Sequence, residues 1–303
     1  MDPLTIGILS VGAIVVLVYL GLYIPVALGL VSFVSIWMMS GKSILAFNFL
    51  KVAVGDGVTE YNFATIPLFT LMGLLVSKAR LGRDIYDVMN SAFRRVLAGI
   101  GMATVGANAI FAAVTGSSIA SASVFTKIAV PQMLRYNYNK RFAVGVVAGS
   151  SVLGMIIPPS AMLIIYSFVA EVSVGDMFLA GIIPGLLLTA VYMIAIYLMA
   201  RFWPSFIGTD IKTDEMPAME RSEMFRKAWP VLALILLVLG GIYTGWLTPV
   251  EAGAAGASLA LIVALGRRSM SRQEFWETLV ETGHITAAIL LLIAMASFYS
   301  RML

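Results

Sequence analysis

The sequence has no cysteine, a single histidine and little charge, with only 12% of its 303 residues being Asp, Glu, Lys or Arg. Without cysteine there can be no disulfide, thiolate metal site or thiol nucleophile, and His284 alone cannot build an imidazole cage or a histidine relay. The shortage of charge excludes a soluble enzyme, a nucleic-acid-binding module and a disordered scaffold, because too few polar side chains remain to cover a water-facing surface. A further absence is local. From Val88 to Ala170 there is no Asp, Glu or His, which disfavours proton coupling there and argues against an intramembrane protease with paired carboxylates or a Ser and His partnership. No enzymatic activity, resident cofactor or nucleic-acid partner is expected.

What the chain does have is apolar surface: 60% of its residues are hydrophobic and the mean hydropathy is +0.95, the composition of a protein solvated by lipid. Its net charge of +4 therefore reports topology rather than an acidic partner. No Lys or Arg precedes the apolar stretch that opens at Pro3, so the basic region of a cleavable signal is missing and a retained span is expected.

A crossing helix needs about 20 apolar residues, so charge-free windows mark the spans. Pro3 to Gly41 accommodates two short spans turning near Ile24-Pro25. Lys42 to Glu60 mixes charges with large apolar residues and reads as a helix lying in the interface. A span follows from Asn62 to Ser77. The window Val96 to Thr126 is too long for one straight crossing and too short for two. Arg94 and Arg95 precede it and Lys127, Arg135, Lys140 and Arg141 follow it, so both ends belong on the cytoplasmic side and the segment reads as a re-entrant hairpin. Its tip is expected at Thr115 to Ser118. Phe142 to Ala170 then reads as an outward span broken at Gly154 and Pro158-Pro159-Ser160, Met177 to Ala200 as its return, and Arg201 to Lys227 as a charged loop. Spans at Ala228 to Trp246 and Ala252 to Gly266, an amphipathic stretch reaching His284 and a last span from about Ile285 complete the chain. The four inside segments then hold five, four, five and three of the 20 Lys and Arg, which makes the assignment self-consistent and places the amino terminus outside.

The order of short span, interfacial helix, span and basic residue occurs twice, at Pro25 to Lys78 and at Ala252 to Arg301, and the second copy runs the other way through the membrane. Met72, Gly73, Ser77 and Lys78 align with Met295, Ala296, Ser300 and Arg301. Inverted repeats are a transporter device. The organisation expected is a scaffold part at 1–61, a transport part at 62–200 with the hairpin at 96–126 and the broken helix at 142–170, a loop at 201–227, and the opening of the second repeat at 228–303. On this reading the chain is expected to hold roughly 70% of a complete transporter.

Non-helical backbone at membrane depth is tolerated only where it is buried in protein or lines a cavity. Gly116-Ser117-Ser118 offers flexible backbone and two hydroxyls, and Pro158-Pro159 removes amide donors that would tie down carbonyls one turn earlier. Freed carbonyls and hydroxyls suit a hard monovalent cation, and the amino ends of half-helices favour a carboxylate. The same small residues also serve close helix packing, and proline also merely kinks spans, so both readings stand at this level. Asn108 reads as an interhelical hydrogen-bonder.

Ile24-Pro25-Val26-Ala27-Leu28-Gly29, Gly116-Ser117-Ser118 with Ser121, Gly154-Met155-Ile156-Ile157-Pro158-Pro159-Ser160, Phe178-Leu179-Ala180-Gly181-Ile182-Ile183-Pro184-Gly185 and Thr248-Pro249-Val250-Glu251-Ala252 together resemble the large, DctM-like membrane subunit of tripartite ATP-independent periplasmic (TRAP) transporters. The resemblance implies an all-α, inverted-repeat, elevator-type carrier in the bacterial inner membrane, coupled to sodium. It also implies a small membrane subunit of about four spans and a periplasmic solute-binding protein that delivers an organic acid. It puts sodium at Gly116, Ser117, Ser118, Gly154 and Pro158, with Ser121, Pro159 and Ser160 toward the substrate. The family pattern continues into a second hairpin and a second broken helix, for which this chain has no counterpart. Two alternatives stay open: a stand-alone divalent-anion/sodium symporter of related design, and a channel or scaffold membrane subunit.

Cysteines introduced at Arg95 and Lys127 in this cysteine-free chain should both react with a membrane-impermeant thiol reagent from the cytoplasmic face. Labelling from opposite faces would show a crossing, not a hairpin.

Overall fold

The computed structural model describes residues 3–59, 61–208 and 219–303, so part of the expected loop at 201–227 lies outside the described residues. Every regular element among them is helical: α1 (Pro3–Tyr19), α2 (Ile24–Ser40), α3 (Ser43–Thr59), a 3-10 turn (Tyr61–Ala64), α4 (Thr65–Lys78), α5 (Leu81–Phe93), α6 (Gly99–Thr115), α7 (Ser118–Arg135), α8 (Lys140–Ser151), α9 (Leu153–Ile156), α10 (Ala161–Val169), α11 (Val174–Phe202), α12 (Pro204–Ile207), α13 (Arg221–Ile235), a π-helical turn (Leu236–Gly240), α14 (Gly241–Tyr243), α15 (Pro249–Gly266) and α16 (Arg272–Met302). Among the described residues, four helices are long and apolar enough to cross a membrane, at Val174–Phe202, Arg221–Tyr243, Pro249–Gly266 and Arg272–Met302. Two bent pairs join them if each is counted as one span: Tyr61–Lys78 with Leu81–Phe93, at 65°, and Lys140–Ile156 with Ala161–Val169, at 43°. Large apolar side chains face outward along these helices, among them Ile183, Leu186 and Leu187 on α11, as a lipid-solvated surface requires. The chain is an all-α polytopic membrane protein.

The chain divides into two compact units, Met1–Ala64 with Gly283–Leu303, and Thr65–Thr282. In the first, Ile36, Ala46, Ala53, Phe298 and Met302 form the core, with Phe33, Leu50, Met295 and Tyr299 packed against it. Phe33 meets Phe47 edge-on at 4.9 Å between ring centroids, and the Ser10 hydroxyl lies 2.9 Å from that of Tyr299. In the second, α15 lies along α4. This approach needs small residues, because a β-carbon on Gly253 would stand 3.0 Å from the Leu68 β-carbon, and one on Gly256 would meet the Met72 sulfur and lie 2.7 Å from Val238. Thr248 caps α15 through a reciprocal pair of hydrogen bonds with Glu251, which explains why this helix starts at Pro249 rather than at Ala252.

Two elements differ from the sequence reading. Arg272–Met302 is one uninterrupted helix, without the boundary expected at His284, whereas α3 and α4 are separate. Proline accounts for the difference. Pro67 cannot donate to the Phe63 carbonyl, so the helix must restart around Thr65, and no proline occurs between Arg272 and Leu303. The basic stretch from Lys78 to Arg95 contains α5, whose Leu81, Ile85 and Tyr86 are buried while Arg83 projects outward.

Gly256→Val should force Met72 and Val238 apart and destabilise the α4–α15 pair by about 1–3 kcal/mol. The readout is the midpoint of thermal unfolding in detergent; an unchanged midpoint would mean that the contact is not needed.

Candidate functional site

α6 runs to Thr115, and Gly116 ends it in the left-handed conformation (φ 59°), where a residue without a β-carbon is favoured. Ser117 is extended, and its hydroxyl accepts from the Ala120 amide at 3.3 Å to cap α7. The two antiparallel arms are locked below the tip by Phe111 and Phe125, edge to face at 5.5 Å. The expected hairpin tip and the actual interruption therefore coincide at Gly116-Ser117.

The second interruption is at Ile157 to Ser160, between α9 and α10. Pro158 cannot donate to the Gly154 carbonyl, nor Pro159 to that of Met155. The Ser160 hydroxyl takes over one of these roles and donates to the Met155 carbonyl at 2.8 Å. Ser160 is extended and precedes α10, and the Pro158-Pro159 peptide bond is cis.

The two interruptions meet. The Ala161 amide, at the start of α10, donates to the Gly116 carbonyl at 3.2 Å. A β-carbon on Gly116 would collide with the Pro159 carbonyl oxygen, and one on Gly154 would stand 2.8–2.9 Å from the Ser117 carbonyl and the Ser118 amide nitrogen. Main chain lies directly on main chain at both points. Two further glycines complete the seat: a β-carbon on Gly73 of α4 would lie 2.6 Å from the Thr115 carbonyl oxygen, and one on Gly181 of α11 would lie 2.6 Å from that of Ile156. Sequence reasoning left Gly73 and Gly181 out of the site. Only their register opposite the two breaks identifies them.

The site is thus bounded by two helix carboxyl ends, at Thr115 and Ile156, and two amino ends, at Ser118 and Ala161. Partial negative and partial positive charge are presented a few residues apart, with no full charge from Val96 to Thr126 or from Phe142 to Ala170. Gly116, Gly154, Pro158, Pro159 and Ser160 are buried, and Ser117 and Ser118 are half-buried. The Ser118 side chain has no protein partner among the described residues, and the fully buried Ser121 hydroxyl is likewise unpaired. One turn before Gly154, Asn108 donates from Nδ2 to the Ser150 hydroxyl at 2.6 Å, which in turn donates to the Val146 carbonyl, and this joins α6 to α8. Asn108 is therefore an interhelical hydrogen-bonder, although its Oδ1 remains unpaired. All eight residues singled out in the sequence belong to these two interruptions or to the helical turn on either side of them. Among the described residues, no group of three or more His, Asp or Glu could hold a metal ion.

The family description "Tripartite ATP-independent periplasmic transporter, DctM component" matches residues 11–303. The chain belongs to this DctM family. It is 33% identical over 284 residues to the C4-dicarboxylate TRAP transporter large permease protein DctM of Pseudomonas aeruginosa, covering 91% of this chain and 63% of that protein. It is 29% identical over 273 residues to the sialic acid TRAP transporter large permease protein SiaM of Vibrio cholerae, covering 89% and 62%. With the isethionate TRAP transporter permease protein DctMQ of Oleidesulfovibrio alaskensis it shares 27% over 308 residues, covering 100% and 46%. The chain thus spans between about half and two thirds of the length of these curated relatives. They are transporter permeases rather than enzymes, and with the apolar helices they make this DctM-family chain a multi-pass inner-membrane protein.

The glycines of the site yield a contrasting pair of variants. Gly154→Ala puts a methyl group into main chain that cannot swing aside, and should destabilise the protein by about 1–3 kcal/mol. Gly149→Ala, on the preceding helix α8 but facing open space, should be neutral or stabilising by about 0.5–1 kcal/mol. Equal unfolding midpoints for the two variants would contradict the close apposition.

Proposed function

We propose that this chain is the large permease part of a sodium-coupled secondary transporter that imports an organic acid delivered by a periplasmic binding protein, together with a small membrane subunit. One observation carries the reading: two non-helical stretches lie main chain against main chain in an apolar, uncharged surround. Such an arrangement supplies carbonyl and hydroxyl oxygens to an ion without a carboxylate. Sodium is the fitting cation, a hard ion that accepts neutral oxygen ligands. Gly116, Ser117 and Ser118 present oxygens from the tip, and Gly154 offers the carbonyl that Pro158 leaves without its helical donor. The Ser160 hydroxyl has given its hydrogen to Met155, so its lone pairs are what it can turn elsewhere. The amino ends of α7 and α10, with Ser121, Pro159 and Ser160 close by, favour an acid group of the solute. The relatives are named for C4-dicarboxylate, sialic acid and isethionate, so kinship supports the transport of small organic solutes without selecting one. The permease name DctMQ supports a small-subunit partner. Movement of the Thr65–Thr282 unit as an elevator is the transport step proposed.

In the complete, partnered transporter reconstituted in vesicles, Ser118→Ala should raise the sodium concentration for half-maximal uptake about fivefold, the equivalent of about 1 kcal/mol for one lost oxygen. Pro158→Ala should act in the same direction by restoring an amide donor to the Gly154 carbonyl. If both variants keep the parent's sodium dependence, the small residues serve packing alone. Full-rate uptake with no binding protein added would instead favour a stand-alone symporter.

A further inference from the structure

Away from the hairpin tip, the charged end of the second unit treats its cations in two different ways. The carboxylates of α5 are matched: Asp84 pairs with the Arg267 guanidinium, and Asp87 with the Lys227 ammonium at 2.7 Å. Lys227 has a second carboxylate, Glu223, at 3.6 Å. Arg83, Lys127 and Arg135 have no such carboxylate. Their side chains line one cleft of about 200 Å³ between α5 and α7, and none of them has an ion pair or side-chain hydrogen bond among the described residues. Lys127 and Arg135 are eight residues apart on α7 with Pro131 midway, so they stand on one helix face one above the other. The helices are held together just beside the cleft, where Val124 of α7 comes within 2.7 Å of where a Gly82 β-carbon would be. Asp87 is the only carboxylate in the lining, and Lys227 already neutralises it.

The preference for basic residues on the cytoplasmic side explains why such cations lie at this end of the helices, but not why three converge on one cleft whose single carboxylate, Asp87, is already neutralised by Lys227. Three exposed like charges around a concave wall repel each other unless an anion joins them. Two guanidinium groups provide the planar forks that match phosphate oxygens, Lys127 adds a point charge, and Gln132 adds an amide donor within the same wall. A cleft of this volume admits one tetrahedral anion and a few atoms attached to it.

We propose that the cleft between α5 and α7 is a phosphate-binding site, formed by Arg83, Lys127 and Arg135, at the base of the re-entrant hairpin. The group bound is a phosphodiester of an anionic lipid headgroup or a free phosphate from solution; the chemistry of the two is shared. Occupancy ties the outgoing arm of the hairpin to α5 and so acts on the hairpin from the end opposite its tip. The site goes beyond the transport reading and does not depend on it.

The test uses the full chain and reads the midpoint of thermal unfolding. One arm compares nanodiscs of phosphatidylcholine alone with nanodiscs containing phosphatidylglycerol; the other compares inorganic phosphate with chloride at equal ionic strength in detergent. The parent should gain stability in at least one arm, and the triple variant R83Q/K127Q/R135Q should lose that gain. The all-exposed positions of these side chains make a folding defect no obstacle, and each single variant should weaken half-saturation by phosphatidylglycerol or phosphate about fivefold. Stabilisation by phosphatidylglycerol alone assigns the lipid, and stabilisation by inorganic phosphate assigns the free ion. Lys140→Gln removes a nearby cation that lines no part of the cleft and should leave the response intact. A parent that responds to neither probe, a triple variant that responds as the parent does, or an equal loss in Lys140→Gln would overturn the site.

Discussion

The structure of the unit Thr65–Thr282 depends on how interrupted helices satisfy their backbone without water. In hydrocarbon an unpaired amide or carbonyl costs several kcal/mol, so a break in one helix is stable only if something polar is brought to it. Here the partner of one break is the other break. The Ala161 amide, which belongs to the first turn of α10 and has no helical acceptor, finds the Gly116 carbonyl at the end of α6. The Ser117 and Ser160 hydroxyls attend to further loose ends within their own segments. Beside this mutual repair, the buried Ser121 hydroxyl remains without a partner.

That repair sets strict limits on side-chain size. Main chain can approach main chain only where no β-carbon intervenes, and four glycines drawn from four different helical segments, Gly73, Gly116, Gly154 and Gly181, meet this condition around the two breaks. Ile157 nests against Gly185 in the same way, which extends the smooth face of α11 by one turn. The tip is thus held by shape between α4 and the broken helix, which is itself seated on α11, rather than by ion pairs.

Much of this was legible in the sequence because hydrocarbon leaves few options. Charge-free windows marked the apolar helices, and Gly116-Ser117 and Pro158-Pro159 marked the interruptions, since these residues act on their own backbone. That the two interruptions touch is a fact about tertiary register, and no local signal encodes it. Gly73 and Gly181 were invisible for that reason: each lies in an ordinary apolar helix and acquires its meaning from a carbonyl more than twenty residues away. The continuity of α16 was missed for a related reason. Its charged beginning and apolar end differ in composition, but composition does not break a helix; proline does, as Pro67 shows at the start of α4.

The division into two units does not follow chain order. Gly29 of α2 lies against Met295 near the end of α16, and Gly253 and Gly256 of α15 lie against Leu68, Phe69 and Met72 of α4, so each unit combines an early helix with a late one. This interleaving has a consequence for biogenesis. The core made by Ile36, Ala46 and Ala53 is completed by Phe298 and Met302, more than 200 residues later in the chain. At usual rates of synthesis, the early helices wait on the order of ten to forty seconds in the bilayer before the segment that completes their core is made. For that interval, lipid or an insertion factor must cover the face that α16 will later occupy.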